Sequence, residues 1–271
     1  MDEFLTEASA AARTAGRVLL EHFGHLDQSS ISRKGPRDFV SVADHASEQV
    51  IISHLSARFP GHGFLAEESG GADANSEFQW IIDPLDGTSN FIHAFPMFTV
   101  SIALRHHDDF LVGLIYDPVR DEMFSAMKGG GATLNGRPVH VTSTASLHEA
   151  LLSTGFPFRA REFLDPYLRV YRSLFLKAGI RRTGSAAMDL AYVAAGRFDG
   201  YWDLMLMPWD YAAGALIVRE AGGAVSNFIG APDLISGCII ACAPGIHAEL
   251  LGIIRAEFEI PLREAATHAR P

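Results

Sequence analysis

The sequence predicts an α+β chain folded as a layered sandwich, and three observations carry that expectation. Residues 80–127 hold short β-branched and aromatic runs joined by tight connections, the pattern of an antiparallel meander. After residue 150, strand-like runs alternate with helical ones, as in strands covered by helices. Ahead of both, apolar residues recur at three- and four-residue steps, which predicts amphipathic helices with one face to bury.

In chain order, Phe4, Ala8, Ala11, Ala15, Val18, Leu19 and Phe23 predict a helix over 2–23, ended by Gly24. A second helix is expected from about Asp44 to Phe59, with Val50, Ile51 and Leu55 inward and Pro60-Gly61 as its stop. Strands follow at 80–83, 98–106, 111–117 and 122–127, and Asn135-Gly136 marks a further hairpin turn. Beyond residue 150 the expected order is a strand at 151–155, a helix near 162–178, a strand at 181–183 and a helix near 185–195. Then come a strand at 198–203, a helix near 209–221, the strand at 238–244 and a closing helix from His247 to Phe258. No repeat, low-complexity tract or long linker interrupts this order. Residues 1–271 therefore read as one domain with a soft division near 145, between a meander half and an alternating half.

Composition narrows the function. Of 271 residues, 48% are apolar, enough for a sizeable core. The net charge of −10 argues against nucleic acid, whose binding needs clustered Lys and Arg. No run is apolar for long enough to span a bilayer, and the acidic Asp2, Glu3 and Glu7 do not resemble a secretory leader, so a cytoplasmic protein without membrane contact is expected. On a strand, Cys238 and Cys242 would share a face about 13 Å apart, too far for a disulfide. Buried, reduced thiols fit that compartment.

The most informative segment is Trp80-Ile81-Ile82-Asp83-Pro84-Leu85-Asp86-Gly87-Thr88-Ser89-Asn90-Phe91. An apolar strand runs into two carboxylates three residues apart, with Pro84 stiffening the link and a glycine turn after it. Paired carboxylates repel unless a cation lies between them, and hard oxygen donors suit magnesium. The Gly87 and Thr88 amides, at a turn or helix start, could hold a phosphate. Taken alone, a DPxD turn is as readily structural. Three more acidic islands shift the balance: Asp38 to Asp44, Glu67-Glu68-Ser69 after an apolar run, and Pro208-Trp209-Asp210. Each by itself reads as a helix start or a solvated loop, with Asp44 as an N-cap.

In this order and wording, DFVSVAD, GFLAEES, WIIDPLDGTSNFIHAFP, GSAAMDL and PWDYAAGALIVREAGG resemble the inositol monophosphatase family, part of the magnesium-dependent, lithium-sensitive phosphatases. The resemblance runs from Phe4 to about Leu250. It implies an αβαβα sandwich of the sugar-phosphatase type and a phosphoric monoester hydrolase. It also implies two or three Mg2+ ions held by Glu67, Asp83, the Leu85 carbonyl, Asp86 and Asp210. Asp44 and Thr88 match the pair that orients and deprotonates the attacking water, with Glu67 counted beside them as catalytic. Gly87 and Thr88 match the phosphate-binding amides, buttressed by Ser89 and Asn90. Asp86, Ser185, Ala186, Asp203 and Asp210 match positions that touch substrate hydroxyls. At Asp203 many members carry Glu, so the carboxylate is drawn back by about 1.5 Å. Lys34 matches a basic residue near the third metal or the substrate entrance. A homodimer and inhibition by lithium are expected on the same ground.

Such a site needs no covalent enzyme intermediate, so the twelve histidines need no catalytic role. His93, His106 and His107 are expected on loops or the surface. A haloacid-dehalogenase-type phosphatase would place its two Asp residues two apart, not three. Inositol 1-phosphate is the expected substrate. Histidinol phosphate, adenosine 3',5'-bisphosphate and fructose 1,6-bisphosphate are alternatives on the same scaffold, and a non-catalytic binding or regulatory protein is the alternative of another class.

Overall fold

The computed structural model describes residues 2–26, 31–35, 38–72, 76–156, 161–234 and 236–268. The side chain of Lys34 lies outside the described residues. Two helices, α1 (Asp2–His22) and α2 (Val42–Arg58), flank a small hairpin of β1 (Ile31–Gly35) and β2 (Asp38–Ser41). The first large sheet takes β3 (Gly63–Ala66), β4 (Gly70–Ala72), β5 (Phe78–Asp86), β6 (Thr99–His106), β7 (Asp109–Asp117), β8 (Glu122–Met127), β9 (Ala132–Leu134) and β10 (Arg137–Val139), with the short α3 (Thr88–Ile92) after β5. The second half supplies β11 (Leu151–Thr154), α4 (Leu164–Phe175), β12 (Gly179–Arg181), α5 (Ala186–Ala194), β13 (Gly200–Asp203), α6 (Pro208–Glu220), β14 (Ala224–Ser226), β15 (Ile239–Cys242) and α7 (Pro244–His268).

The eight-stranded sheet has the order β10-β9-β8-β7-β6-β5-β3-β4, and the five-stranded sheet β12-β11-β13-β15-β14. From β5 to β10 every pairing is antiparallel, which is the expected meander. The pattern breaks at β3, which runs parallel to β5 and so delivers Glu67 to the same sheet end as Asp83. Strand β11 pairs in parallel with β12 and β13, whereas β15 is antiparallel to both its neighbours.

Side-chain alternation turns these sheets into layers, because successive strand residues face opposite sides. On β5, Trp80 and Ile82 pack with α1 and α2, while Ile81 faces α5 and α6. On β13 and β15, Tyr201, Ile239 and Ala241 face that same middle helix layer, while Trp202, Ile240 and Cys242 face α4 and α7. The order is therefore α1/α2, eight strands, α5/α6, five strands, α4/α7: the αβαβα sandwich. In the middle layer small residues allow close approach, and a Cβ on Gly113 of β7 would stand 2.6 Å from the Ala213 carbonyl of α6.

Boundaries differ from expectation for local reasons. Ser41, not Asp44, is the N-cap of α2; Asp44 is the third helical residue and closes a capping box by accepting the Ser41 amide. Strand β5 runs through Pro84 to Asp86, tolerated because the register with β6 shifts between Asp83 and Asp86. Helix α4 is shorter than 162–178, a 3₁₀ turn at Arg161–Phe163 preceding it. Helix α7 starts ahead of His247 with Pro244 first, where the missing N–H costs nothing. Asn135 and Gly136 take φ of 50° and 75°, the left-handed pair of the expected hairpin turn. Both cysteines are buried and unpaired in one apolar cluster.

Candidate active site

One cavity of 360 Å³ opens where β3, β5 and β13 end and α5 and α6 begin. Of the residues expected to form the site, Glu67, Asp83, Leu85, Asp86, Gly87, Thr88, Ser185, Ala186, Asp203 and Asp210 all line it. Asp44 does not. It is 1% exposed beneath the wall and reaches the cavity through Thr88, whose Oγ1 lies 3.2 Å from Asp44 Oδ1.

Each acidic side chain is placed by a local device. Asp44 Oδ2 accepts the Ser41 amide and hydroxyl at 2.8 and 2.7 Å. Asp210 makes the acidic half of the same device at the start of α6, accepting the Met207 amide at 2.7 Å, although Met207 has no hydroxyl to return the bond. Both acids therefore sit at the positive end of a helix dipole. Asp83 Oδ1 accepts the Leu85 amide at 3.0 Å, folding the Pro84 turn back on itself. Asp86 Oδ2 accepts the Ser185 hydroxyl at 2.6 Å and the Ala187 amide at 2.7 Å, which ties the first sheet to the start of α5. Gly87 takes φ of 96°, and a Cβ there would meet the Met97 carbonyl at 2.9 Å, so the turn requires glycine. Asn90 buttresses the loop as expected, its amide donating to the Met97 and Thr183 carbonyls at 2.7 and 2.9 Å. Ser89 is exposed and lines the cavity instead.

Electrostatics mark the cavity as cation-seeking. Burial raises the Asp83 carboxyl well above its usual range, and repulsion from Glu67, Asp86 and Asp210 adds to it. Burial carries Asp86 to about 6 against its hydrogen bonds from Ser185 and Ala187, and Asp203 likewise to about 6. Burial also lifts Asp44. A divalent cation among these groups would remove the repulsion, and four carboxylates plus the Leu85 carbonyl form an all-oxygen donor set that magnesium fits.

Sequence reasoning left several cavity residues unassigned. Asp189 is 2% exposed, lies within the cavity lining, and its Oδ1 has no hydrogen-bond partner. Gly155 must lack a side chain, because a Cβ there would fall 2.1 Å from Asp203 Oδ2. Asp203 is otherwise held by the Tyr201 hydroxyl at 2.9 Å and the Leu204 amide at 2.8 Å. At the rim, the exposed Arg182 stands over the Phe156 ring, 5.2 Å from its centroid. The signal available for Gly155 was its place at a strand end; Asp189 sat inside a quoted motif without an assigned role.

His93 and His107 are exposed and His106 is half-buried, all outside the cavity lining. Glu77, His106 and His107 bring three ligand atoms within 4.8 Å of one another, with His106 Nε2 already 2.8 Å from Glu77 Oε1. This group sits at the other end of β5, about 20 Å from Asp83 by strand rise. Its nitrogen donors suit softer metals than magnesium.

The five-layer sandwich and its carboxylate-lined cavity define the class of metal-dependent phosphatases with a layered sugar-phosphatase fold. The chain belongs to the inositol monophosphatase family, whose pattern it matches over residues 1–258. It is 44% identical to the Nus factor SuhB of Salmonella typhimurium over 97% of this chain and all of that protein. It is 43% identical to an inositol-1-monophosphatase of Mesorhizobium japonicum over 90% of this chain and 93% of that one. The crystal structure of the extragenic suppressor protein SuhB from Bartonella henselae superimposes with a TM-score of 0.90 at 41% identity, covering 93% of this chain and 98% of that one. Among the described residues no helix is long and apolar enough to cross a membrane.

Proposed function

We propose that the chain hydrolyses the phosphate monoester of a small polyol, myo-inositol 1-phosphate first among them, in the cytoplasm and with magnesium. The observation that carries this reading is one cavity lined by Glu67, Asp83, Asp86 and Asp210, with Thr88 in its wall and Asp44 directly behind it. Glu67, Asp83, the Leu85 carbonyl, Asp86 and Asp210 would hold two or three Mg2+ ions. Bound magnesium supplies charge neutralisation for the phosphate and makes water a stronger acid. The amides of Gly87 and Thr88 hold the phosphate. The Thr88 hydroxyl lies 3.1 Å from the Leu85 carbonyl and 3.2 Å from Asp44 Oδ1; with that carbonyl on a metal ion it would donate to Asp44, its lone pairs would accept a hydrogen of the attacking water, and Asp44 would take the proton through it. Asp86, Ser185, Ala186, Asp203 and Asp210 receive the hydroxyls of the leaving alcohol. The same reading takes residues 1–271 as one functional unit that works as a homodimer and is inhibited by lithium.

The test is phosphate release from inositol 1-phosphate, histidinol phosphate, adenosine 3',5'-bisphosphate and fructose 1,6-bisphosphate, with and without magnesium, beside Asp83→Asn. Magnesium-dependent turnover that favours inositol 1-phosphate and disappears in the variant is the expected result. Preference for another compound keeps the mechanism and replaces the substrate. The name Nus factor, borne by several relatives, favours a second reading in which the protein also acts as a binding factor. No turnover of any compound would put that reading first.

A further inference from the structure

Three residues on one face of α2 reach three different segments of the site. Asp44, Ser47 and Glu48 stand at i, i+3 and i+4, so their side chains leave the helix together. Asp44 accepts the Thr88 hydroxyl at 3.2 Å. Ser47, fully buried, donates to the Pro84 carbonyl at 2.8 Å. Glu48, 4% exposed, accepts the Glu68 amide on Oε2 and the Ser69 amide on Oε1, both at 2.9 Å.

The last contact bears on Glu67. Strand β3 pairs with β4 only as far as Ala66 opposite Gly70, so residues 67–69 form a turn whose shape the ladder does not set. On its first side the turn is held by the Glu67 amide on the Ile82 carbonyl at 3.1 Å. On its second side the fork of Glu48 fixes the two amides that follow, and because the Glu67–Glu68 peptide is planar, fixing the Glu68 amide fixes the Glu67 carbonyl too. Charge-assisted bonds of this kind are short and directional. A buried carboxylate beside an acidic cavity is a costly way to close a surface turn, unless the direction of Glu67 matters.

We infer that Glu48, seconded by Ser47, is a positioning residue that holds the Glu67 turn and the Pro84 loop at the mutual spacing a divalent cation requires. The inference rests on the metal-dependent reading above. Residues behind metal ligands typically change affinity by about 10- to 100-fold when removed.

The experiment is Mn2+ binding to the metal-stripped protein by calorimetry, wild type against Glu48→Gln, with hydrogen exchange at the Glu68 and Ser69 amides. Expected are about tenfold weaker Mn2+ binding, faster exchange at those two amides, and turnover that recovers when magnesium is raised by a similar factor. Glu48→Asp, which keeps the charge but is shorter by one methylene, gives the same comparison should Glu48→Gln fail to fold. A lower melting temperature with unchanged Mn2+ affinity overturns the inference alone. Wild-type protein that binds no Mn2+ overturns the metal-dependent reading and the inference with it.

Discussion

At Asp83, burial and three neighbouring carboxylates all disfavour the charged form, so the metal-free protein carries repulsion there. Asp83→Asn keeps the oxygen that accepts the Leu85 amide and removes the charge. Thermal melts should therefore show the metal-free variant a few degrees above wild type, with turnover in magnesium lower by about 100-fold or more. Glu7 lies in the opposite situation. Its carboxyl falls below the usual 4.5 because Arg58 and His54 bond to its ionised form. The folded state thus binds that proton less tightly than the unfolded chain. Its stabilisation is present above about pH 4.5 and lost as pH falls through the lower folded value. Glu7→Gln should melt lower than wild type at pH 7, and the gap should close in acid. Legibility at this scale turned on shared geometry. Asp44, behind the cavity wall, and Asp210, in its lining, both also accept the amide at the start of their helix, so helix rules alone could not separate the two roles; only the family resemblance proposed the second. Asp189 lay inside a quoted motif with no role attached, while Arg182 and Glu48 lay outside every quoted motif and meet their partners, Phe156 and Ser69, more than 20 residues away in the chain.

Helix α6 shows how an element transmits packing to the site. It lies against β6, β7 and β8 of the first sheet and presents Asp210 from its first turn. Gly113→Ala would drive a methyl into the Ala213 carbonyl, backbone against backbone, with no flexible side chain to yield. The expected cost is about 1–3 kcal/mol in urea unfolding, with weaker metal binding because α6 carries Asp210 outward. A substitution with open space around it and ordinary φ, such as Gly252→Ala on the exposed face of α7, should leave metal binding unchanged. Periodicity revealed most helices and the meander, since both signals are local. The parallel pairing of β3 with β5 was not legible, because a four-residue strand joined through a separate hairpin leaves no periodic trace. Pro84 concealed the last part of β5 for a similar reason: proline reads as a strand end unless a register shift is known.

Across the whole molecule, two sheets share the middle helix layer, and the acids come from both halves: Glu67, Asp83 and Asp86 from the first, Asp203 and Asp210 from the second. Metal that joins them should stabilise the fold as a unit. If the proposed magnesium is that cation, at about 100 times its dissociation constant it would add about 2.7 kcal/mol, which for a chain of this size would raise the melting temperature by about 5–10 °C. Scanning calorimetry with and without magnesium checks this, and Asp210→Asn should lose most of the shift. A layered sandwich was legible in the order of strands and helices, but the five-layer order came only with the family resemblance; two-sided burial shows it, with Trp80 and Ile81, or Tyr201 and Trp202, facing opposite layers. Order of synthesis adds a consequence. The first sheet is complete once Val139 has emerged, but the helices that cover its inner face, α5 and α6, begin only at Ala186 and Pro208. At about 5–20 residues per second, that face waits several seconds for its cover. The nascent chain in that interval is a natural client for chaperones, and a message broken before codon 208 should yield an aggregating fragment rather than a smaller enzyme.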